Sequence, residues 1–256
     1  MRQRTMAACL AISATAAVGL ATPASAGTSI VGGTNATETY TFMASIQDKS
    51  GKQVCGASLI SSQWLVTAGH CVSDPRTLDV ADPAQYQFRV GSIDRTRGGE
   101  LVGADRFIRH ENWDTKLNDD IGLVHLAEPV VATPVAIGST PVVGTPIREL
   151  GSGTTCVTHG CDAPVILQQL DTSIADTSAC DDPLFDPASQ LCTDNNGGTA
   201  NACHGDSGGP AMVNRYGRWL LVGATSHGQT DVCTEKAGIY TDATFYRDWI
   251  SQHIHS

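Results

Sequence analysis

The chain has 256 residues, 41% hydrophobic and 5% aromatic, with 16 Lys and Arg against 26 Asp and Glu for a formal net charge of −10. That acidic balance, without Lys/Arg stripes, excludes nucleic acid and anionic membrane surface as partners, because both are held through clustered cations. The length suits one large β domain or two small ones.

Met1-Arg2-Gln3-Arg4 is followed by an Ala-rich apolar run from Met6 to Ala21 and the small triplet Ala24-Ser25-Ala26. This predicts a secretory signal peptide over residues 1–26, cut after Ala26. The apolar run is 16 residues long, and a bilayer span takes roughly 20 strongly apolar ones. No later segment is long and apolar enough to span, so the predicted product is soluble, secreted and extracellular. Removing the leader takes away Arg2, Arg4 and Cys9, leaving 14 basic against 26 acidic side chains and eight cysteines. An even cysteine count in an exported protein reads as disulfides. With no C-x2-C pair and scattered histidines, neither a metal nor a cofactor is expected.

Short apolar runs at 63–66, 87–90, 121–124 and 219–222, separated by Gly, Asp, Asn and Pro, predict an all-β barrel or sandwich. No repeat of 20–50 residues interrupts that reading. The proline-marked stretch 128–134 is the one internal boundary. Phe245, Trp249, Ile250 and Ile254 recur at helical spacing, predicting a C-terminal amphipathic helix packed on the last barrel.

Gly205-Asp206-Ser207-Gly208-Gly209-Pro210 sets a hydroxyl on a glycine-rich turn whose backbone N–H groups are free to point outward. By itself the pattern fits the nucleophile elbow of α/β-hydrolases and, equally, a glycine-rich turn with no chemistry. A serine needs a positioned base, and the base an orienting acid. His70, after the apolar run ending at Val66 and next to Cys71, is the candidate base; a histidine beside a cysteine is also a common structural feature. Asp120, entering the apolar run 121–124, is the candidate acid, with Asp119 as competitor and a plain turn residue as the bland alternative. An α/β-hydrolase requires Ser, then acid, then His, with much of its fold before the serine and a good deal after it. Here the order is His70, Asp120, Ser207, and only 49 residues follow Ser207.

Thr67-Ala68-Gly69-His70-Cys71, Asp120-Ile121-Gly122-Leu123, the Gly205 hexapeptide and Ile30-Val31-Gly32-Gly33 resemble, in order and approximate spacing, the signature segments of trypsin- and chymotrypsin-like serine proteases. The resemblance spans Ile30 to about Ile254. It implies an all-β fold of two antiparallel Greek-key six-stranded β-barrels with a C-terminal helix. A protease domain would cover 30–256, with an N-barrel over about 30–134 and a C-barrel over about 135–256. It further implies Ser207 as nucleophile, His70 as base then acid, Asp120 as its orienting acid, and the Gly205 and Ser207 amides as oxyanion hole. Ile30, freed as a new N-terminus, would pair with Asp206. The bond before Ile30 follows Ser29 rather than Lys or Arg, leaving Gly27-Thr28-Ser29 as a short pro-segment removed by a non-tryptic protease, or else a signal cut directly before Ile30.

By the same resemblance Asn201 lies at the base of the substrate pocket, Gly228 and Gly238 on its walls, and Ser226-His227-Gly228 on the strand that pairs with substrate. Tryptic members carry Asp at the place of Asn201, so a neutral or aromatic residue before the cut bond is favoured. His227, where the family has Trp, and His204 on the pocket rim read equally as solvated histidines. Three cysteine pairs carry over, Cys55 with Cys71, Cys180 with Cys192 and Cys203 with Cys233, leaving Cys156 and Cys161 to close a small loop. The family's calcium loop matches residues 91–100 without its leading acid, so no metal is expected there. Asn35-Ala36-Thr37 fits the N-glycosylation pattern. The expected partners are protein or peptide substrates and protein protease inhibitors, acting on a monomer. The alternative function is a catalytically silent, protease-like binding protein; an esterase is opposed by the chain order.

Overall fold

The computed structural model describes residues 30–113, 118–158 and 160–255. The leader and pro-segment expected over 1–29 lie outside them.

Two curled antiparallel sheets make up the molecule. A short β1 (Thr34–Asn35) opens the described chain. The first sheet is built from β2 (Met43–Asp48), β3 (Gln53–Ser61), β4 (Trp64–Thr67), β5 (Tyr86–Val90), β6 (Glu100–Val102), β7 (Ala104–Arg109) and β8 (Gly122–Leu126). Their order is β6-β5-β2-β3-β4-β8-β7. The two ends of that order, β6 and β7, are consecutive in the chain and parted only by Gly103, so one bent strand closes the sheet into a barrel of six.

The second sheet holds β9 (Ala136–Ile137), β10 (Pro146–Gly151), β11 (Gln168–Ser173), β12 (Gln190–Thr193), β13 (Pro210–Arg215), β14 (Arg218–His227) and β15 (Gly238–Asp242). Its path is β1-β11-β10-β13-β14-β15-β12, with β9 parallel to β14. A bridge between Ile174 and Thr193 joins the β11 end to β12 and closes the second ring. Six strands, β10 to β15, form this barrel; β1 and β9 are short additions from the N-terminal segment and the crossover. The all-β two-barrel architecture expected from the resemblance is therefore the one adopted.

One apolar cluster fills the first barrel with Ile46, Leu59, Leu65, Phe88 and Leu123, and runs on through Leu150, Met212 and Leu221 of the second. The second barrel adds its own core around Ile147, Leu191, Val213, Val222 and Tyr240. A continuous core across the seam holds the barrels together, so residues contributed by each can meet there with fixed geometry.

The C-terminal helix α1 (Arg247–Ile254) forms where periodicity placed a helix, but its packing corrects the expectation. Phe245 precedes the helix and is 55% exposed. Trp249 lies against His110 and donates from Nε1 to Glu111, and Tyr246 meets His110 edge to face while donating to Asp119. Those partners belong to the loop between β7 and β8, so the helix crosses back to the first barrel. The apolar face alone carries no information about which barrel receives it.

Candidate active site

Strand pairing brings the first two predicted residues together. β4 and β8 run antiparallel with Thr67 opposite Gly122. Just past Thr67 the chain turns through a short helical segment, Gly69–Val72, and just before Gly122 lies Asp120. His70 and Asp120 therefore leave the same end of neighbouring strands. The disulfide from Cys71 to Cys55 on β3 pins the turn. Asp119, the competitor, takes positive φ, and its carboxyl goes to Tyr246 and toward His110 instead. That turn sends the two adjacent acids to different neighbours.

Asp120 is fully buried. His70 Nδ1 lies 2.9 Å from Asp120 Oδ2 and the His70 backbone amide donates to Oδ1 at 2.9 Å. Burial alone would push the Asp120 carboxyl up, but the His70 charge and the hydrogen bonds from His70 and Ser226 outweigh it and hold it below the usual carboxylate range. For His70, burial works to lower the value, and Asp120's charge and hydrogen bond more than offset that, leaving it raised above 6.5. Because the carboxylate accepts, Nδ1 carries the proton, and Nε2 is the lone-pair nitrogen.

Ser207 sits half-buried at the seam. Its carbonyl accepts from Gly56 of β3 at 2.7 Å, tying the serine turn of the second barrel to the strand that also carries Cys55. Gly208 has φ +74°, and a Cβ there would overlap the Thr67 hydroxyl and the Gly56 carbonyl. The turn thus packs directly against the end of β4, three residues before His70. Gly205 has φ +92°, a conformation that disfavours any side chain. The amides of Asp206, Gly208 and Gly209 bond to Cys203, Thr225 and Asp206 carbonyls. Among the described residues, those of Gly205 and Ser207 bond to none, which leaves two donors available on either side of Asp206.

A cleft lined by Asn201, Cys203, Ser207, Ser226, His227, Gly228 and Gly238 gathers all five predicted pocket residues around the serine. Asn201, 2% exposed, donates through Nδ2 to the carbonyls of Cys233 and Lys236 at 2.9 and 3.0 Å. That commitment turns its Oδ1 toward Gly238, where a Cβ would come within 2.6 Å of it. At this wall of the cleft Asn201 thus presents a neutral acceptor. Its amide donates to Val31, and Ile30 is buried against Leu170 and Ala200, so the Ile30 segment lies directly behind the pocket.

Asp206 is 1% exposed and accepts from the Cys203 and Gly153 amides at 2.9 and 2.7 Å. Burial pushes its carboxyl up to about 7 despite those donors. Among the described residues no basic side chain pairs with it.

Ser226 does more than line the cleft. Its hydroxyl donates to Asp120 Oδ2 at 2.6 Å, and Oγ also lies 3.0 Å from His227 Nδ1. With its only proton given to the carboxylate, Ser226 must accept from His227, which fixes the Nδ1–H tautomer of that ring. Burial lowers the His227 value, keeping the ring neutral near neutral pH. A solvated histidine does not describe this residue; His204 lies at the rim of the same cleft.

Two residues absent from the sequence reading stand out. Trp113 Nε1 donates to Asp120 Oδ1 at 3.1 Å. Glu149, 1% exposed on β10, lies inside the second barrel facing the hydroxyls of Thr193 and Tyr240 without completing a bond of ordinary geometry, and burial pushes it up to about 7.

Disulfides join Cys55–Cys71, Cys156–Cys161, Cys180–Cys192 and Cys203–Cys233. The Cys/His groupings around His70 and His204 therefore offer no thiolate to a metal. In the loop over 91–100, Asp94 accepts from Thr96 and Arg97, and Glu100 from the Val131 and Ala132 amides, so protein donors already satisfy both acids.

Against known proteins, the chain matches the family model Trypsin over residues 30–250. It is 32% identical over 233 residues to a trypsin of Sarcophaga bullata, covering 87% of this chain and 88% of that protein. Serine protease 1 of Homo sapiens is 33% identical over 250 residues, covering 93% and 94%. Transmembrane protease serine 11C of Mus musculus is 32% identical over 241 residues, covering 88% of this chain and 53% of that protein. Among the described residues no helix is long and apolar enough to cross a membrane.

Proposed function

The chain belongs to the trypsin family of serine proteases, and from that premise we propose that it is a secreted serine endopeptidase using His70, Asp120 and Ser207. The observation that carries this reading is the buried Asp120–His70 pair, which commits Nδ1 and leaves Nε2 as the lone-pair nitrogen that can act as a base.

In this mechanism Ser207 Oγ attacks the substrate carbonyl carbon while its proton passes to His70 Nε2. The carbonyl oxygen becomes an anion and accepts from the Gly205 and Ser207 amides, each worth about 3 kcal/mol at the barrier. The C–N bond then breaks, and Nε2 returns the proton to the leaving amine. Water, deprotonated by the same nitrogen, hydrolyses the Ser207 ester. Asp120 keeps the tautomer and stabilises the imidazolium throughout. His70 must be unprotonated to start, so activity falls as pH drops through its raised value.

Asn201 gives the pocket no charge, so a Lys or Arg side chain would enter without a counter-ion, and a neutral or aromatic side chain is the favoured guest. Cleavage of Ser29–Ile30 would free an ammonium for Asp206. Because Val31 and Asn201 are bonded, docking of that end and shaping of the pocket base go together.

Labelling by an organophosphonate, abolished in Ser207→Ala, tests the catalytic reading. A protein that refuses the label would instead be the silent, protease-like binder. Cleavage of a diverse peptide library tests specificity, and a dominant Arg/Lys preference would overturn the Asn201 argument.

A further inference from the structure

A buried carboxylate offers about four acceptor positions. Those of Asp120 are all filled: Oδ1 takes the His70 amide and the Trp113 indole N–H, and Oδ2 takes His70 Nδ1 and the Ser226 hydroxyl. Three of these donors come from the His70 turn and the cleft strand. The fourth comes from a tryptophan seven residues upstream, in the loop between β7 and β8.

The position of that tryptophan is built rather than incidental. Gly69, beside His70, leaves the space it occupies; a Cβ there would come within 2.9 Å of Trp113 Cδ1. On the ring face, the Arg109 guanidinium lies 4.5 Å from the centroid, a cation–π contact that polarises the indole and strengthens its N–H as a donor. Arg109 also donates to the Ser73 hydroxyl at 3.1 Å, and Ser73 donates to the Gly69 carbonyl at 2.8 Å. The indole is thus clamped between the end of β7 and the turn that carries His70.

We infer that Trp113 is a positioning residue of the catalytic pair: its N–H completes the hydrogen-bond set of Asp120 and moderates that carboxylate's hold on the His70 imidazolium. The inference rests on the reading of His70 as base and Asp120 as its partner. A neutral donor on Oδ1 draws negative charge away from His70, so the imidazolium is held less tightly and the free base survives to lower pH. The titratable or charged groups that face the pair are His70 itself, the neutral His227 ring through Ser226, and the Arg109 guanidinium behind the indole; Asp119 and His110 turn away toward Tyr246.

The test is the pH profile of kcat/KM for the active enzyme, its Trp113→Phe variant, and a variant carrying β-benzothienylalanine at 113. The last keeps ring shape and the Arg109 contact and removes only the N–H. Both variants are expected to shift the acid limb upward by about half a pH unit, a threefold change in the protonation equilibrium. kcat is expected to fall about threefold to tenfold with KM unchanged, since the indole does not line the substrate cleft. The low-field Nδ1 proton resonance of His70 should move in the same variants. An active wild type whose benzothienyl variant keeps both the acid limb and that resonance overturns the inference alone. A wild type that neither cleaves nor takes the phosphonate overturns the catalytic reading and this inference with it.

Discussion

Cutting Ser29–Ile30 would change the charge beside Asp206, and the depth of that carboxyl sets the size of the effect. In the uncut chain Ile30 carries an amide, and burial moves Asp206 from 3.8 to about 7. An acid raised in the folded state contributes stability that is complete below pH 3.8, is withdrawn as pH rises between 3.8 and about 7, and is gone above. A rise of about three units corresponds to about 4 kcal/mol at pH 8. The freed ammonium would supply the missing cation and remove that penalty. The assay is urea unfolding of Ser207→Ala protein in two forms, one beginning at Gly27 and one at Ile30, at pH 4 and pH 8. Glu149 titrates in both forms and cancels. The form beginning at Gly27 should lose about 4 kcal/mol more between the two pH values than the form beginning at Ile30. Parallel pH dependences would refute the pairing of Ile30 with Asp206.

Asp120→Asn should keep the fold and lower kcat by on the order of 10⁴, because the amide no longer selects the Nδ1–H tautomer; steady-state kinetics on a peptide ester reads this. Asn201→Asp should raise kcat/KM for substrates with Lys or Arg before the cut bond at least about tenfold, the return for giving a buried cation its partner. Glu149 is raised from 4.5 to about 7, so its contribution is present below pH 4.5 and withdrawn up to about 7. Glu149→Gln should therefore be more stable than wild type at pH 8 by about 3 kcal/mol, with the gap closing by pH 4 in urea melts.

Contiguous motifs were the legible part of this site. His70, Asp120 and Ser207 sit in short segments whose neighbours, apolar strand before and glycine turn around, announce a fixed position at a strand end. Relations that arise only on folding were not legible. Ser226 reads as a pocket residue, and its bond to Asp120, 106 positions away, exists only because β14 passes the end of β8. Trp113 lies in a polar stretch with no periodicity, and the space it fills is the absence of a side chain at Gly69. Glu149 did leave a trace. In Pro146–Gly151 the period-two alternation sets Ile147 and Glu149 on one face and Arg148 on the other, so a carboxyl stands at an inward position of a strand. For the C-terminal helix, spacing identified the apolar stripe over Trp249, Ile250 and Ile254, while the aromatic and carboxylate partners that fix its direction come from residues 110–119.

The pocket and the serine turn share one support. The Asn201 amide holds the Val31 carbonyl, Asp206 anchors the turn through the Cys203 and Gly153 amides, and the Ser207 carbonyl receives Gly56 from the first barrel. If the freed Ile30 docks behind Asn201 and against Asp206, its docking and the filling of the pocket stabilise the same arrangement of the same loop. Linkage then works in both directions: a ligand that binds the pocket more tightly in the docked state must tighten docking of Ile30 by the same factor. A neutral inhibitor of the pocket, added to protein beginning at Ile30, should accordingly slow hydrogen exchange at the Val31–Asn201 bridge. In protein beginning at Gly27, where no ammonium faces Asp206, that protection should be weaker, because the docked state is then the less populated one.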